Sequence, residues 1–164
     1  MTRIGITGHR NLDQRFVKKY RETVFKQLAK LKQKHSNIIL YSALADGADR
    51  LVVYEAMKLD IKFIAVLPMD KKLYKDDFDT TSTIDFEILL KQANDIILLT
   101  HQKPFSKDVQ YELAGQYISD NSDILFAMWD GNYNNLQGGT SNTIKYHLSK
   151  NKHLLYLKVD RNAI

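Results

Sequence analysis

Six short apolar runs rich in β-branched residues, at 3–6, 38–41, 62–67, 95–99, 123–129 and 153–158, punctuate the chain. Each is bounded by polar residues or glycine and is long enough for a strand buried on both faces. Between them lie segments whose apolar positions recur at spacings of three and four, which predicts helices at 13–34, 48–59, 84–93, 106–121 and 140–150. In the first of these, Val17, Tyr20, Val24, Leu28 and Leu31 form the apolar stripe. Strand and helix alternate from end to end. That grammar predicts a single α/β domain over 1–164, a doubly wound, mainly parallel Rossmann-like sheet of about six strands. The stretch 68–83, with Met69, Asp70, Tyr74, Asp77, Phe78 and a Thr-Thr-Ser-Thr run, fits neither period and reads as a lid over a site or a surface loop.

Composition narrows the picture. The 164 residues are 44% hydrophobic, enough for one sizeable core without staples. With no cysteine there is no disulfide, thiolate metal site or cysteine nucleophile, which fits a reducing compartment, and the cytoplasm is the expected location. No run approaches the ~20 apolar residues of a membrane span, and the opening residues enter a strand pattern rather than a signal peptide, so no membrane partner is expected. A net charge of +5 draws anions without choosing among them. Lys18, Lys19, Arg21, Lys26, Lys30, Lys32 and Lys34 crowd the first helix, as a solvated face or as a nucleic-acid patch.

Ligands of open parallel sheets bind beyond the carboxyl ends of the strands, where strand order reverses. Three turns there carry candidate chemistry. After the first strand, Thr7-Gly8-His9-Arg10 combines a hydroxyl, a glycine that permits close approach, an imidazole and a guanidinium fork for phosphate, unless Arg10 merely pairs with a carboxylate. After the second, Ser42 to Arg50 leads through Gly47 into a helix whose free N–H groups suit an anion, with Asp46 or Asp49 alternatively capping that helix. After the fifth, Trp129-Asp130-Gly131 precedes Gly138-Gly139-Thr140, which opens the last helix as phosphate-binding turns do. The first turn does not read G-x-G-x-x-G, no acidic residue ends the second strand, and no G-x-x-x-x-G-K-[ST] is present, which argues against an NAD dehydrogenase and a P-loop NTPase. Gly115 is read as a contact of its helix with the sheet and Tyr117 as core. His35, His101, His147 and His153 show no metal-ligand spacing, so neither metal nor another cofactor is expected.

In order, Ile6 to Arg10, Ser42 to Arg50, Ile64 to Pro68, Trp129-Asp130-Gly131 and Gly138-Gly139-Thr140 resemble the SLOG superfamily, named for the Smf/DNA-processing proteins and the lonely-guy cytokinin-activating enzymes. The resemblance implies a Rossmann-like domain binding a nucleotide or nucleotide derivative, with phosphate near Gly138, Gly139 and Thr140 and the remainder across the first two strand ends, at Thr7, Gly8, His9, Arg10, Ser42, Gly47 and Asp49, with Asp130 nearby. Lonely-guy enzymes cleave nucleoside monophosphates with a glutamate that follows the Gly-Gly-x-Gly-Thr stretch. No residue from Thr143 to Tyr146 is acidic. The expected role is therefore ligand sensing. A nucleotide-cleaving hydrolase, with Asp49, Glu112 or Asp130 as acid or base, is the alternative, and a single-stranded nucleic-acid module on the basic helix a further one. The resemblance also implies self-association, for which Phe105, Val109, Tyr111 and Leu113 offer an apolar face unless they are core.

Overall fold

The structure is a computed structural model, and it describes residues 1–100 and 106–162. Strands β1 (Thr2–Gly8), β2 (Ile38–Ser42), β3 (Lys62–Leu67), β4 (Asp95–Leu98), β5 (Ile124–Trp129) and β6 (His153–Lys158) form one sheet in the order β4-β3-β2-β1-β5-β6. Every neighbouring pair is parallel, so the sheet is wholly rather than mainly parallel. Helices α1 (Val17–His35), α2 (Ala48–Lys58), the single turn α3 (Lys71–Tyr74), α4 (Thr80–Gln92), α5 (Lys107–Asp120) and α6 (Thr140–Ser149) make the crossovers. Strand order reverses between β1 and β5, which puts a crevice at their carboxyl ends.

The sheet separates two apolar clusters. Ile4, Ile6, Leu40, Phe63 and Phe126 point to one side, where Val24 and Leu28 of α1, Val52 of α2 and Phe86 of α4 meet them. Val66, Leu125, Ala127 and Trp129 point to the other, under Ile118 of α5 and Ile144 of α6. Strand β5 feeds both, which is why all six of its residues are buried and apolar. Each fully buried Leu, Ile or Phe contributes roughly 1.5–3 kcal/mol of transfer free energy. On α1 the apolar stripe is inward as its spacing predicts, while Lys18, Lys19, Arg21, Lys26, Lys30 and Lys34 are exposed.

Three expectations change. The stretch 68–83 is neither a lid nor a plain loop. Asp70 caps α3 by accepting from Lys72 N–H, and Asp79 caps α4 by accepting from Ser82 N–H, so the Thr-Thr-Ser-Thr run becomes a helical first turn. Met69, Tyr74 and Phe78 are buried there, and the Tyr74 and Phe86 rings meet edge-on at 5.6 Å. Alternation failed to reveal this because the anchors sit in short turns, not in one periodic element. Second, Gly115 serves a helix–helix contact rather than the sheet: a Cβ there would lie 2.4 Å from Thr143 Oγ1 of α6. Third, α1 starts at Val17, because Asp13 caps a separate 3-10 turn, Gln14–Phe16. Of the apolar set suggested for self-association, Val109, Tyr111 and Leu113 are half-buried, while Phe105, like His101, lies outside the described residues.

Candidate functional site

At the reversal point the first turn is built by close backbone approach. A Cβ on Gly8 would fall 2.3 Å from the Ala48 Cβ and 2.9 Å from the Met128 carbonyl oxygen, so only glycine lets β1 pass between α2 and β5. Gly47, at φ +81°, packs beneath the same turn, where a Cβ would sit 2.4 Å from the Arg10 carbonyl oxygen. Ala48 N–H donates to the His9 carbonyl at 3.0 Å and fastens the start of α2 to it. The His9 ring is buried, and its Nε2 accepts from Asp130 N–H at 3.1 Å, tying the end of β1 to the end of β5. Burial, helped by Arg161, holds this imidazole below its ordinary value, in the neutral form that an acceptor nitrogen requires. The Asp130 carboxyl is held low despite its own desolvation, by the Asn132 N–H bond and by Arg161.

The β2–α2 loop is pinned from two sides. Leu44 is fully buried at φ +56°, a left-handed conformation that costs an L-residue on the order of 1 kcal/mol. Its N–H donates to Ser42 Oγ, and its carbonyl accepts from Arg50 Nε at 3.0 Å. Arg50 also pairs with Asp46 at 3.1 Å, so Asp46 serves this buried guanidinium rather than capping α2. Asp49 is not a cap either. The N-cap is Gly47, which has no side chain to offer, and Asp49 Oδ2 instead accepts from Ala45 N–H at 3.2 Å. Asp49 is buried, with 7% of its surface exposed. Desolvation pushes it up to about 7, against the Ala45 bond and the charges of Arg10 and Arg50.

The opposite wall is the start of α6. Gly138 at φ +77° turns the chain against α5, and its N–H donates to Asn142 Oδ1 at 3.1 Å. Ser141 Oγ accepts from Asn134 N–H and holds the preceding loop. Gly139 is the N-cap without a side-chain cap, so the first-turn amides face outward with no intrahelical acceptor.

Between these walls lies a cavity of about 320 Å³. Of the residues singled out in the sequence, Thr7, Gly8, His9, Arg10, Asp49, Gly138, Gly139 and Thr140 line it together. Ser42, Gly47, Asp130 and Glu112 do not. Ser42 is spent on Leu44, Gly47 underlies the first turn, Asp130 orients His9, and Glu112 takes a bond from Gln137. The lining also includes residues that sequence reasoning did not place there. Asp108, Tyr111, Gly115 and Ile118 form a stripe of α5 at spacings of three and four, a signal that was present but indistinguishable from packing. Tyr74 closes the floor, donating its hydroxyl to the Ala43 carbonyl at 3.0 Å. Arg161 arrives from the far end of the chain, where an isolated bridge to Leu12 carries it beside the first turn, and nothing local marks it.

Among the described residues Arg10 has no carboxylate partner. Its guanidinium lies 5.1 Å from the centroid of the Tyr111 ring and makes no ion pair among the described residues. The Tyr111 hydroxyl is shielded from solvent and has no hydrogen-bond partner there. Among the described residues no cluster of three or more His, Asp or Glu side chains is arranged to hold a metal, and no helix is long and apolar enough to cross a membrane.

No family model matches the sequence, and no curated protein matches it either. Solved structures do. DNA processing protein A from Streptococcus pneumoniae superposes with a TM-score of 0.64 at 13% identity, over 95% of this chain and 50% of that one. The Helicobacter pylori protein of the same name, described in a single-stranded DNA binding mode, also gives 0.64, at 17% identity over 94% of this chain and 64% of that one. The Moco carrier protein of Chlamydomonas rheinhardtii gives 0.53 at 17% identity, over 94% and 74%. The chain thus spans about half the length of the first of these proteins and under two thirds of the second. At such identities the likeness concerns the fold alone, a parallel, Rossmann-like α/β sheet.

Proposed function

We propose that this SLOG-type domain binds a nucleotide or nucleotide derivative in the cavity at its strand-order reversal and acts as a ligand-sensing domain of the cytoplasm. The observation that carries the reading is convergence: side chains or backbone of three separate Gly-containing turns, after β1, after β2 and before α6, line one cavity. The lining offers the first-turn amides of α6 and the guanidinium groups of Arg10 and Arg161 for a phosphate. It also offers Ile6, Ala43, Pro68 and Ile118, suited to an apolar ring face. Thermal-shift screening of nucleoside monophosphates, cyclic nucleotides and ADP-ribose tests it. A ligand at a hundred times its Kd stabilises the native state by about 2.7 kcal/mol, which for a chain of this size raises Tm by roughly 5–10 °C. Melting curves unmoved by the whole panel defeat the proposal.

A second reading, cleavage of the bound nucleotide, is favoured by one specific observation. Of Asp49, Glu112 and Asp130, only Asp49 lines the cavity, and it titrates near 7, where an acid or base is most useful. Against it stands the first turn of α6, which carries no acidic residue. Chromatography after incubation with nucleoside monophosphates decides: base released by the wild type and not by Asp49→Asn supports cleavage, and intact nucleotide leaves sensing alone.

A further inference from the structure

Residues 159–162 form a strap beside the first turn. Beyond β6, Val159 is buried and donates its N–H to the Trp129 carbonyl at 3.0 Å. The chain then runs antiparallel to residues 11–13, through an isolated bridge between Leu12 and Arg161. Asp160 N–H donates to the Tyr20 hydroxyl at 2.8 Å, Asp13 N–H to the Asp160 carbonyl at 2.9 Å, and Asn162 N–H to the Asn11 carbonyl at 2.8 Å. The strap thereby brings Arg161 into the lining of the cavity, which Arg10 and Asn11 share. Within the nucleotide-binding reading, on which this step rests, we infer that Arg161 is a ligand contact that couples occupancy of the cavity to closure of the strap.

Arg161 is positioned without being saturated. Its Nε donates to Asn11 Oδ1 at 2.9 Å, which fixes the side chain against the facing segment. Its one ion pair among the described residues is with Asp130 Oδ2, at a loose 3.9 Å from Nη1. The other oxygen of that carboxylate takes the Asn132 N–H and lies 3.3 Å from His9 Nε2. With the Arg161 side chain 39% exposed, so long a pair holds it weakly. Its outer N–H groups are left for an anion in the cavity, in the planar fork that suits a phosphate.

The strap itself is lightly held. Val159 is its single buried side chain, and Asp160, Arg161 and Asn162 are all exposed. A segment fastened by a few exposed hydrogen bonds opens locally, at lower cost than the domain unfolds. Opening carries Arg161 away from the cavity, so the open strap binds an anion more weakly than the closed one. Linkage then requires that saturating ligand lower the open population by the ratio of the two affinities. One charge-assisted hydrogen bond sets that ratio at about tenfold. Occupancy of the cavity is thus written on the surface as order at 159–162, an output that a sensing domain needs.

The test pairs calorimetric titration with proton exchange of the Asp13, Asp160 and Asn162 amides, followed by NMR on the full chain. The probe is the tightest binder among nucleoside monophosphates, cyclic nucleotides and ADP-ribose, added to matched saturation of wild type, Arg161→Gln and Arg161→Lys. In the wild type the probe is expected to slow the three amides about tenfold. In Arg161→Gln it is expected to bind about tenfold more weakly and, once bound, to leave the three amides at their ligand-free rates. Arg161→Lys, which keeps the charge, is expected to recover part of both effects. Equal slowing in Arg161→Gln overturns the coupling, and so do unchanged amides in a wild type shown by calorimetry to be saturated; in either case the nucleotide site stands. If no member of the panel binds the wild type, the site and the coupling fall together.

Discussion

A carboxyl group buried with one N–H donor and two nearby guanidinium groups is a poor carboxylate, and Asp49 carries that cost in the native state. In the unfolded chain it titrates in the ordinary range near ~3.9, and in the fold at about 7. Between those values the native state holds more protons than the unfolded one, so stability falls as pH rises through the window and levels off above it. Asp49→Asn does not titrate. Its urea midpoint is expected to overtake that of the wild type as pH rises from 5 to 7.5, with a relative gain approaching ~1.4 kcal/mol per pH unit within the window. A gap that does not change with pH contradicts the buried acid. His9 has the opposite sign: its pKa lies below the ordinary histidine value, so its contribution is full above that value and is lost as pH falls through the native one. Gly8→Ala sets a methyl against a backbone carbonyl and the Ala48 Cβ. Denaturant unfolding should register a loss of about 1–3 kcal/mol. At this scale the sequence was partly legible. Gly8, Arg10 and Thr140 stand beside strands or helix ends where position alone suggests chemistry. Tyr111 was not legible, because an aromatic on a helix stripe is equally good core, and Arg161 was not, because its place depends on a contact about 150 positions away in the chain.

Strands and most helix bodies were legible because each is a local pattern: a run buried on both faces, or a stripe at helical spacing. What escaped were junctions. The start of α4 was hidden by Thr and Ser, which read as loop until Asp79 is recognised as the cap. The α5–α6 contact depends on a glycine whose purpose lies in another helix. There, Gly115→Ala gains roughly 1 kcal/mol of helix propensity, yet places a methyl 2.4 Å from Thr143 Oγ1. The single variant is expected to lose stability and to weaken the ligand, since Thr143 lines the cavity together with Thr140. Adding Thr143→Ala should restore most of the stability. A double-mutant cycle in denaturant measures the coupling, and strict additivity would show that the two positions do not touch in solution. Helix α1 bears on the nucleic-acid alternative. Lys26 and Lys30 are exposed on its outer face and line no part of the cavity. Charge reversal at both is expected to leave nucleotide binding unchanged. Salt-dependent binding of single-stranded DNA that disappears in that variant would instead assign α1 a separate role.

Seen whole, the molecule is two apolar clusters divided by a sheet, with the cavity at the one place where strand order reverses and both clusters reach an edge. Ile6 and Tyr74 bring the first cluster to the cavity and Ile118 brings the second. Arg10 and Arg161 bring two guanidinium groups to the cavity lining of a chain already at +5. An anionic ligand should therefore arrive faster at low ionic strength, with dissociation much less affected, and stopped-flow rates at two salt concentrations separate the two. The division into clusters has a mechanical consequence as well. Strands β3 and β5 send side chains into both clusters, and elsewhere the two halves of the domain meet across the main-chain pairing of the sheet. A molecule seated in the cavity rests on both halves and braces one against the other. Its signature in amide hydrogen exchange is slowing at the start of α2 and at the start of α6 together, on opposite faces of the sheet.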